Sequence, residues 1–387
     1  MEDFVVSARK YRPSTFDTVV GQSHITTTLQ NAIKNNQLAQ AFLFCGPRGV
    51  GKTTCARILA KTINCINLKP EGEACDVCDN CKSFNAGTSM NFYELDAASN
   101  NSVDDIRNLV EQVRYAPQAG SKFKVYIIDE VHMLSNAAFN AFLKTLEEPP
   151  AYAKFILATT EKHKIIPTIL SRCQIFDFNR IQLKDISQHL AKIAVKETIT
   201  FEQEALDTIA LKADGGLRDA LSMFDLIVTF SSDNNITYQN TIKNLHILDY
   251  DYYFKVTDAL LAENVADNLL IFDEILRNGF DGHNFIVGLA EHFRNLMVCK
   301  DAVTVKLLQV SENIEKKYLE QAAKASISFL MTALNIANQN DMQYKSSKNH
   351  RLHVEMALMK LAHINAALNL SKTLIATTEE LKKKAIA

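Results

Sequence analysis

Three groups of residues have the types and spacing that chemistry needs. Gly46-Pro47-Arg48-Gly49-Val50-Gly51-Lys52-Thr53 fits the pattern G-x-x-x-x-G-K-[ST] without a mismatch. In such a loop the backbone N–H groups point inward and cradle phosphate oxygens, and the helix that follows adds the partial positive charge of its N-terminus. Lys52 would then reach the β- and γ-phosphates, and the Thr53 hydroxyl would hold Mg²⁺. The competing reading is a glycine-rich turn that binds nothing. Context separates the two. The apolar run Ala41 to Cys45 suits a buried strand before the loop, and Thr54 to Lys61 carries helical spacing after it.

The second group is Asp129-Glu130, where the apolar run Lys124 to Ile128 ends abruptly in two acids. In a nucleotide-binding sheet, carboxylates at the C-terminal end of a strand lie where ligands bind. Asp129 would hold Mg²⁺, and Glu130 would orient or deprotonate the attacking water. A solvated acid pair at a strand end is the plain alternative. The third group is Cys65, Cys75, Cys78 and Cys81, spaced C-x9-C-x2-C-x2-C in a polar segment. Four thiolates so spaced suit a tetrahedral structural zinc, and metal binding would fold a segment too polar to bury its own core. An iron–sulfur cluster competes. The bacterial ferredoxin run, however, needs a fourth Cys soon after the third, and here that ligand lies upstream. The remaining four cysteines, Cys45, Cys55, Cys173 and Cys299, are isolated and read as small buried apolar residues.

The elements that must position these groups can be placed in order. A polar lead-in at 9–22 precedes a helix from Ser23 to Asn35, with Ser23 as its cap. Strands are expected at 41–45, 91–96, 124–130, 155–160 and 174–178. Helices follow the phosphate loop, start at Ser102 with a capping box completed by Asp105, and span 136–148 before Pro149-Pro150. Thr160 closes the fourth strand with a hydroxyl, and a short helix over 165–173 delivers Arg172. Strand signals fade after Arg180. Residues 183–195, 202–213 and 217–230 read as three helices, with Arg218 at the start of the third, and 242–370 is almost wholly helical, with breaks near 278–282. The expected domains are a nucleotide-binding α/β unit over 1–179, a small helical unit over 180–241, a helical bundle over 242–370 and a tail over 371–387. Lys382-Lys383-Lys384 in that tail reads as a solvated helix end.

With 387 residues and 47% hydrophobic composition the chain can support two or three cores. A net charge of −2 gives no general affinity for nucleic acid, so any DNA contact needs a local basic patch. The start Met1-Glu2-Asp3-Phe4-Val5 lacks a secretory pattern, and no apolar run reaches transmembrane length. A cytoplasmic protein with reduced cysteines is the expectation.

Taken together, RKYRP at 9–13, VVGQ at 19–22, GPRGVGKTT at 46–54, CDVCDNC at 75–81, YIIDEVHML at 126–134, KTLEEPP at 144–150, LATT at 157–160, ILSRC at 169–173 and LRDALS at 217–222 resemble one family. It is the γ/τ family of bacterial DNA polymerase III clamp-loader subunits, which are AAA+ ATPases. The resemblance covers nearly the whole chain. It implies an AAA+ P-loop domain with a parallel sheet and zinc insert, a helical lid and an all-α collar. It makes Thr160 the sensor of the γ-phosphate and Arg172 the finger inserted into a neighbouring subunit's site. Arg218 becomes the second sensor, and Tyr11, Arg12, Val19 and Val20 lie at the adenine end. Thr54 belongs to the phosphate-binding run. The implied activity is ATP-driven opening of a sliding clamp and its placement on primed DNA, with ATP, Mg²⁺ and Zn²⁺ as ligands. The implied partners are δ, δ′, further copies of the chain, the clamp and primer-template DNA. Competing functions are a non-catalytic δ′-like ring scaffold and an AAA+ branch-migration motor. A scaffold need not keep Lys52, Thr53, Asp129 and Glu130, and a branch-migration motor would want a winged helix and no cysteine insert. The long form of the family carries further domains for polymerase and helicase, and the end at Ala387 puts that tethering in doubt for this chain.

Overall fold

The computed structural model describes residues 5–369 apart from 119, 232, 246, 309 and 311. The expected tail at 371–387, with its three lysines, lies outside the described residues, as does Leu370. The chain divides into two compact units, Met1–Thr237 and Tyr238–Ala387.

In the first unit the polar lead-in contains a short helix, α1 (Ser7–Lys10), and a 3-10 turn at Phe16–Thr18. Then comes α2 (Ser23–Lys34), whose cap position is Gln22 and not Ser23. No side chain caps this helix. Gln22 is buried, and its amide is engaged by Asn179, donating to the carbonyl at 2.7 Å and accepting from the N–H at 3.3 Å. The phosphate loop runs between β1 (Ala41–Cys45) and α3 (Lys52–Ile63). The cysteine insert carries α4 (Asp79–Asn85). After it come β2 (Phe92–Asp96), α5 (Val103–Val113), β3 (Lys124–Asp129), α6 (Asn136–Glu147), β4 (Ala153–Thr159), α7 (Pro167–Leu170) and β5 (Gln174–Asp177). Thr160 and Glu130, expected inside strands, lie one residue beyond them. The capping box of α5 is present: Ser102 Oγ accepts from Asp105 N–H and Asp105 Oδ2 accepts from Ser102 N–H, both at 3.2 Å.

The five strands form one parallel sheet in the order β2-β3-β4-β1-β5. Every residue of β1 and β4 is buried, which is why Ala41–Cys45 and Phe155–Ala158 are unbroken apolar runs: a parallel sheet is covered on both faces. Alternation along the strands divides the side chains between two cores. Leu43, Tyr126, Ile128, Phe155 and Leu157 meet Ile106 of α5 and Phe139 and Phe142 of α6. Phe42, Phe44, Val125, Ile127 and Ile156 meet Ile25 and Leu29 of α2 and Ile58 and Leu59 of α3. Truncating one of the fully buried phenylalanines to Ala costs about 3–5 kcal/mol, so each core holds its helices firmly against the sheet. Register aligns the strand ends, with Cys45 opposite Thr159 and Asp177, and Asp96 opposite Asp129. The polar groups that follow the strands therefore gather along one edge.

The three helices expected after Arg180 are α8 (Leu183–Lys196), α9 (Gln203–Lys212) and α10 (Leu217–Phe230). Strand signals fade there, yet a two-residue strand, β6 (Thr200–Phe201), pairs in parallel with β7 (Asn235–Ile236). Two residues are too few to leave a period in the sequence. Ile236 is fully buried and anchors the pairing.

The second unit holds α11 (Tyr238–Asn244), α12 (Tyr250–Leu261), α13 (Val265–Arg277), α14 (Gly282–Val298), α15 (Glu312–Lys324), α16 (Ile327–Tyr344) and α17 (His350–Ala362). A break falls at 278–281, where Asn278-Gly279 and Asp281-Gly282 predict one. Further breaks are marked by side-chain caps at Asn264, Ser326 and Asn349. Phe254, Phe272, Phe285, Phe293 and Phe329 form the core. His292 is buried within it, with Nδ1 3.1 Å from Tyr318 Oη and Nε2 2.8 Å from Gln321 Oε1. Burial pushes this imidazole down to about 4, so it is a neutral packing residue. No helix among the described residues is long and apolar enough to cross a membrane.

Candidate functional site

A cavity of about 520 Å³ opens at the C-terminal edge of the sheet, a size that suits a small organic ligand. The phosphate loop forms its floor from Arg48 to Thr54. Two of its glycines are required by backbone shape. Gly46 has φ 149°, and a Cβ there would run into the Phe178 carbonyl. Gly49 has φ 76° and packs against Arg218. Tyr11, Arg12, Val19 and Val20 line the same cavity, so the lead-in reaches the space that the loop borders. Gly46 and Pro47 do not line it; their carbonyls accept from Lys52 Nζ at 2.8 and 2.7 Å. Lys52 is buried, and burial lowers its pKa, although Glu130 and Asp129 pull it the other way.

The acidic pair divides at the end of β3. Asp129 Oδ2 accepts from Thr53 Oγ1 at 2.6 Å, which brings together two side-chain oxygens from residues 76 apart. Mg²⁺ takes oxygen ligands at about 2.1 Å in octahedral array, with neighbouring oxygens about 3 Å apart, and this pair fits that demand. Glu130 leaves the strand in the left-handed conformation, with φ 47°. That turn separates its carboxylate from Asp129 and delivers it to the end of β4. There Glu130 Oε2 accepts from Thr160 N–H at 3.1 Å and from Thr160 Oγ1 at 2.9 Å. Thr160 thus reaches the site through Glu130 and does not line the cavity. His132, which no residue-by-residue pattern marks as functional, joins the site: its Nδ1 lies 3.4 Å from Glu130 Oε2 and its Nε2 3.2 Å from Glu161 Oε1. The only sequence signal for it was its place two residues after the acids.

The two remaining arginines sit differently. Arg218 lines the cavity from the first turn of α10, and its backbone N–H donates to the Gly49 carbonyl at 3.3 Å. Arg172 does not line it. It follows α7 and donates to Glu147 Oε1 at 2.8 Å and to the Thr168 carbonyl at 2.6 Å, with its side chain about one-third exposed. Tyr11 is tied to the helical part by a bond to Glu197 at the end of α8, a partner no local pattern announces. Burial and then Glu197 raise the Tyr11 phenol. Arg12 is pushed below the usual guanidinium range, chiefly by burial and then by Arg57.

The four cysteines converge. The Sγ atoms of Cys65, Cys75, Cys78 and Cys81 all lie within 4.8 Å of one another. Tetrahedral zinc with Zn–S of about 2.3 Å needs sulfurs about 3.8 Å apart, so the cluster fits with a small contraction. Cys75 N–H donates to Cys65 Sγ at 3.2 Å and Cys78 N–H to Cys75 Sγ at 3.3 Å, contacts that favour thiolate. The Val77 N–H, the largest influence, draws the Cys75 thiol down to about 6. Burial pushes Cys65 and Cys81 up, a cost that bound metal would reverse. The insert is fastened to α3 by an ion pair between buried Lys61 and Asp76 at 2.7 Å. Asn80 also donates to the Asn64 and Gly120 carbonyls at 2.8 Å each.

Three known families match the chain in succession. The family described as DNA polymerase III, delta subunit, matches residues 21–182. The DNA polymerase III clamp loader subunit ATPase lid domain matches 185–233, and domain III of DNA polymerase III subunits gamma and tau matches 240–374. The chain is 41% identical over 362 residues to DNA polymerase III subunit tau of Bacillus subtilis, covering 93% of this chain and 64% of that one. It is 48% identical over 262 residues to subunit tau/gamma of Haemophilus influenzae, covering 67% and 38%. With DNA polymerase III subunit gamma of Buchnera aphidicola (subsp. Baizongia pistaciae) the identity is 34% over 366 residues, covering 94% and 98%. The chain therefore spans less than two thirds of the first two relatives and nearly all of the third.

Proposed function

The chain belongs to the gamma/tau family of DNA polymerase III clamp-loader subunits, and we propose that it is the ATP-hydrolysing motor of such a loader. The observation that carries this reading is the cavity in which Lys52 and Thr53 of α3, Asp129 at the end of β3, Glu130 just after it and Arg218 of α10 converge. A ring scaffold would have no use for that convergence.

In this reading the Gly46–Thr54 loop receives the phosphates of ATP, and Lys52 exchanges the Gly46 and Pro47 carbonyls for phosphate oxygens. Tyr11, Arg12, Val19 and Val20 enclose the adenosine end. Thr53 and Asp129 hold Mg²⁺, which neutralises charge on the phosphate oxygens. Glu130 takes a proton from the attacking water, and Thr160 fixes its carboxylate. Arg218 reaches the phosphates from the helical lid. Arg172 serves a neighbouring subunit's site, a reading supported by its absence from the lining of its own cavity. The four-cysteine centre holds a structural zinc: four sulfurs leave no open position for chemistry at the metal. The partners of this reading are the δ and δ′ subunits, further copies of the chain, the sliding clamp and primer-template DNA, in the bacterial cytoplasm. Energy from ATP would open the clamp and place it on DNA.

The test compares two variants. Lys52→Ala should abolish productive ATP binding, because a buried cation that neutralises phosphate is lost. Glu130→Gln should bind ATP normally and lose turnover. If the wild-type chain, with its partner subunits, clamp and primed DNA, hydrolyses no ATP, or if Glu130→Gln turns over at the wild-type rate, the motor reading falls.

A further inference from the structure

His132 sits on the 3-10 turn Val131–Met133, directly after the acids, with only 7% of its side chain exposed. Nδ1 lies 3.1 Å from Thr159 Oγ1 and 3.4 Å from Glu130 Oε2, while Nε2 lies 3.2 Å from Glu161 Oε1. The ring is thus held between two carboxylates. Thr159 Oγ1 already accepts from the Glu161 N–H at 3.0 Å, so its own proton is free to go to Nδ1 of a neutral ring. Nε2–H then donates to Glu161. In the imidazolium form both nitrogens donate instead. Either way Thr159 and Glu161 fix the ring plane; Nδ1–H faces Glu130 Oε2 as a donor only in the imidazolium form, and in the neutral form the ring edge confines the carboxylate by contact alone.

The consequence falls on the two oxygens of Glu130. Oε2 meets Thr160 N–H, Thr160 Oγ1 and the His132 edge. Oε1 has no hydrogen bond among the described residues, and Glu130 lines the cavity. One oxygen is tethered and the other is left for water. His292 shows what a packing histidine looks like in this protein: its nitrogens meet a phenol and an amide, and no carboxylate forms an ion pair with it among the described residues.

We propose that His132, oriented by Thr159 and Glu161, is a positioning residue that holds Glu130 in the rotamer that accepts the water proton. The inference rests on the ATPase reading above. In the step it serves, water oxygen bonds to the γ-phosphorus and the bond to the β,γ-bridging oxygen breaks. The water proton passes to Glu130 Oε1, leaving ADP and phosphate.

The experiment uses the full chain assembled with its partner subunits. It measures ATP affinity, kcat and thermal stability for His132→Ala, His132→Asn, Glu130→Gln and the double variant His132→Ala/Glu130→Gln. His132→Ala should lower kcat by about 10- to 100-fold, the scale on which small misplacements of a reacting group act, with ATP affinity unchanged. His132→Asn should recover part of the loss, because its amide reaches the Nδ1 position. In the Glu130→Gln background His132→Ala should add nothing. A His132→Ala enzyme with wild-type kcat, whatever its thermal stability, overturns the proposal, and so does a fully additive double variant. If Glu130→Gln itself keeps wild-type turnover, the water-activating role falls first; if Glu130→Gln is inactive and only the His132 variants are unaffected, this inference falls alone.

Discussion

The cavity and the four-cysteine insert are built at opposite ends of the same helix. Lys52 and Thr53 open α3, and Cys65 follows its last turn. They are held in place by different physics. Around the cavity, the sheet supplies the order: strand register sets Asp129, Thr159 and the loop side by side, and two phenylalanine-rich cores hold the sheet. Around the cysteines there is almost nothing apolar to bury, since Ala74 is the one fully buried carbon-only side chain in their cluster. The lesson is that a constellation can be ordered by the fold or by its ligand, and the two should fail independently.

The largest expected effect breaks the insert. Metal binding contributes about 10 kcal/mol or more to the folding of small zinc peptides, and no apolar core here replaces it. Elemental analysis should find zinc bound by Cys65, Cys75, Cys78 and Cys81 at about one per chain. Cys78→Ser, or stripping with chelator, should open residues 65–81 to amide exchange and proteolysis while nucleotide binding persists. Iron in place of zinc would refute the metal assignment. Loss of nucleotide binding in step with metal loss would show that the two ends of α3 are one cooperative unit.

The next effect breaks the catalytic side and spares the insert. Arg172→Ala should keep the fold, the metal and ATP binding. In the assembled complex it should lower turnover by roughly 10³–10⁵, the range seen when an arginine finger is absent, or about 4–7 kcal/mol of transition-state stabilisation. An exposed arginine that only pairs with Glu147 would contribute about 0–1 kcal/mol. Mixing distinguishes trans from cis action. Arg172→Ala chains retain intact pockets and Lys52→Ala chains retain intact fingers, so mixed rings should regain turnover where the two face each other. Mixed rings that assemble normally and stay as inactive as either parent would count against trans action.

The smallest effect sharpens the comparison within the sheet-ordered part. Ser102→Ala removes the cap of α5 and should cost about 1 kcal/mol by chemical denaturation. Zinc content and ATP affinity should not move. A change in either would mean that α5 supports more than its own first turn.

The parts of this protein that the sequence determined by itself are those set by near neighbours. Gly46 to Thr53 must turn and then start a helix whatever surrounds them. The apolar runs of β1, β3 and β4 must be buried, and Cys75, Cys78 and Cys81 are close enough along the chain to share a metal. Ser102 and Asp105 specify a helix start within four residues. The tertiary structure decided what depends on distant partners. It placed β4 between β1 and β3, and that order sets Thr160 against Glu130. It turned Glu130 into the left-handed region, drew His132 between Glu130 and Glu161, and tied Tyr11 to Glu197, 186 residues away. It also paired two-residue strands across the lid and gave Gln22 to Asn179, leaving α2 uncapped. Local periodicity and turn chemistry act over a few residues and leave a pattern in the chain. Pairing across a sheet is chosen by the packing of whole elements, and no short stretch of sequence records which strand will lie beside it.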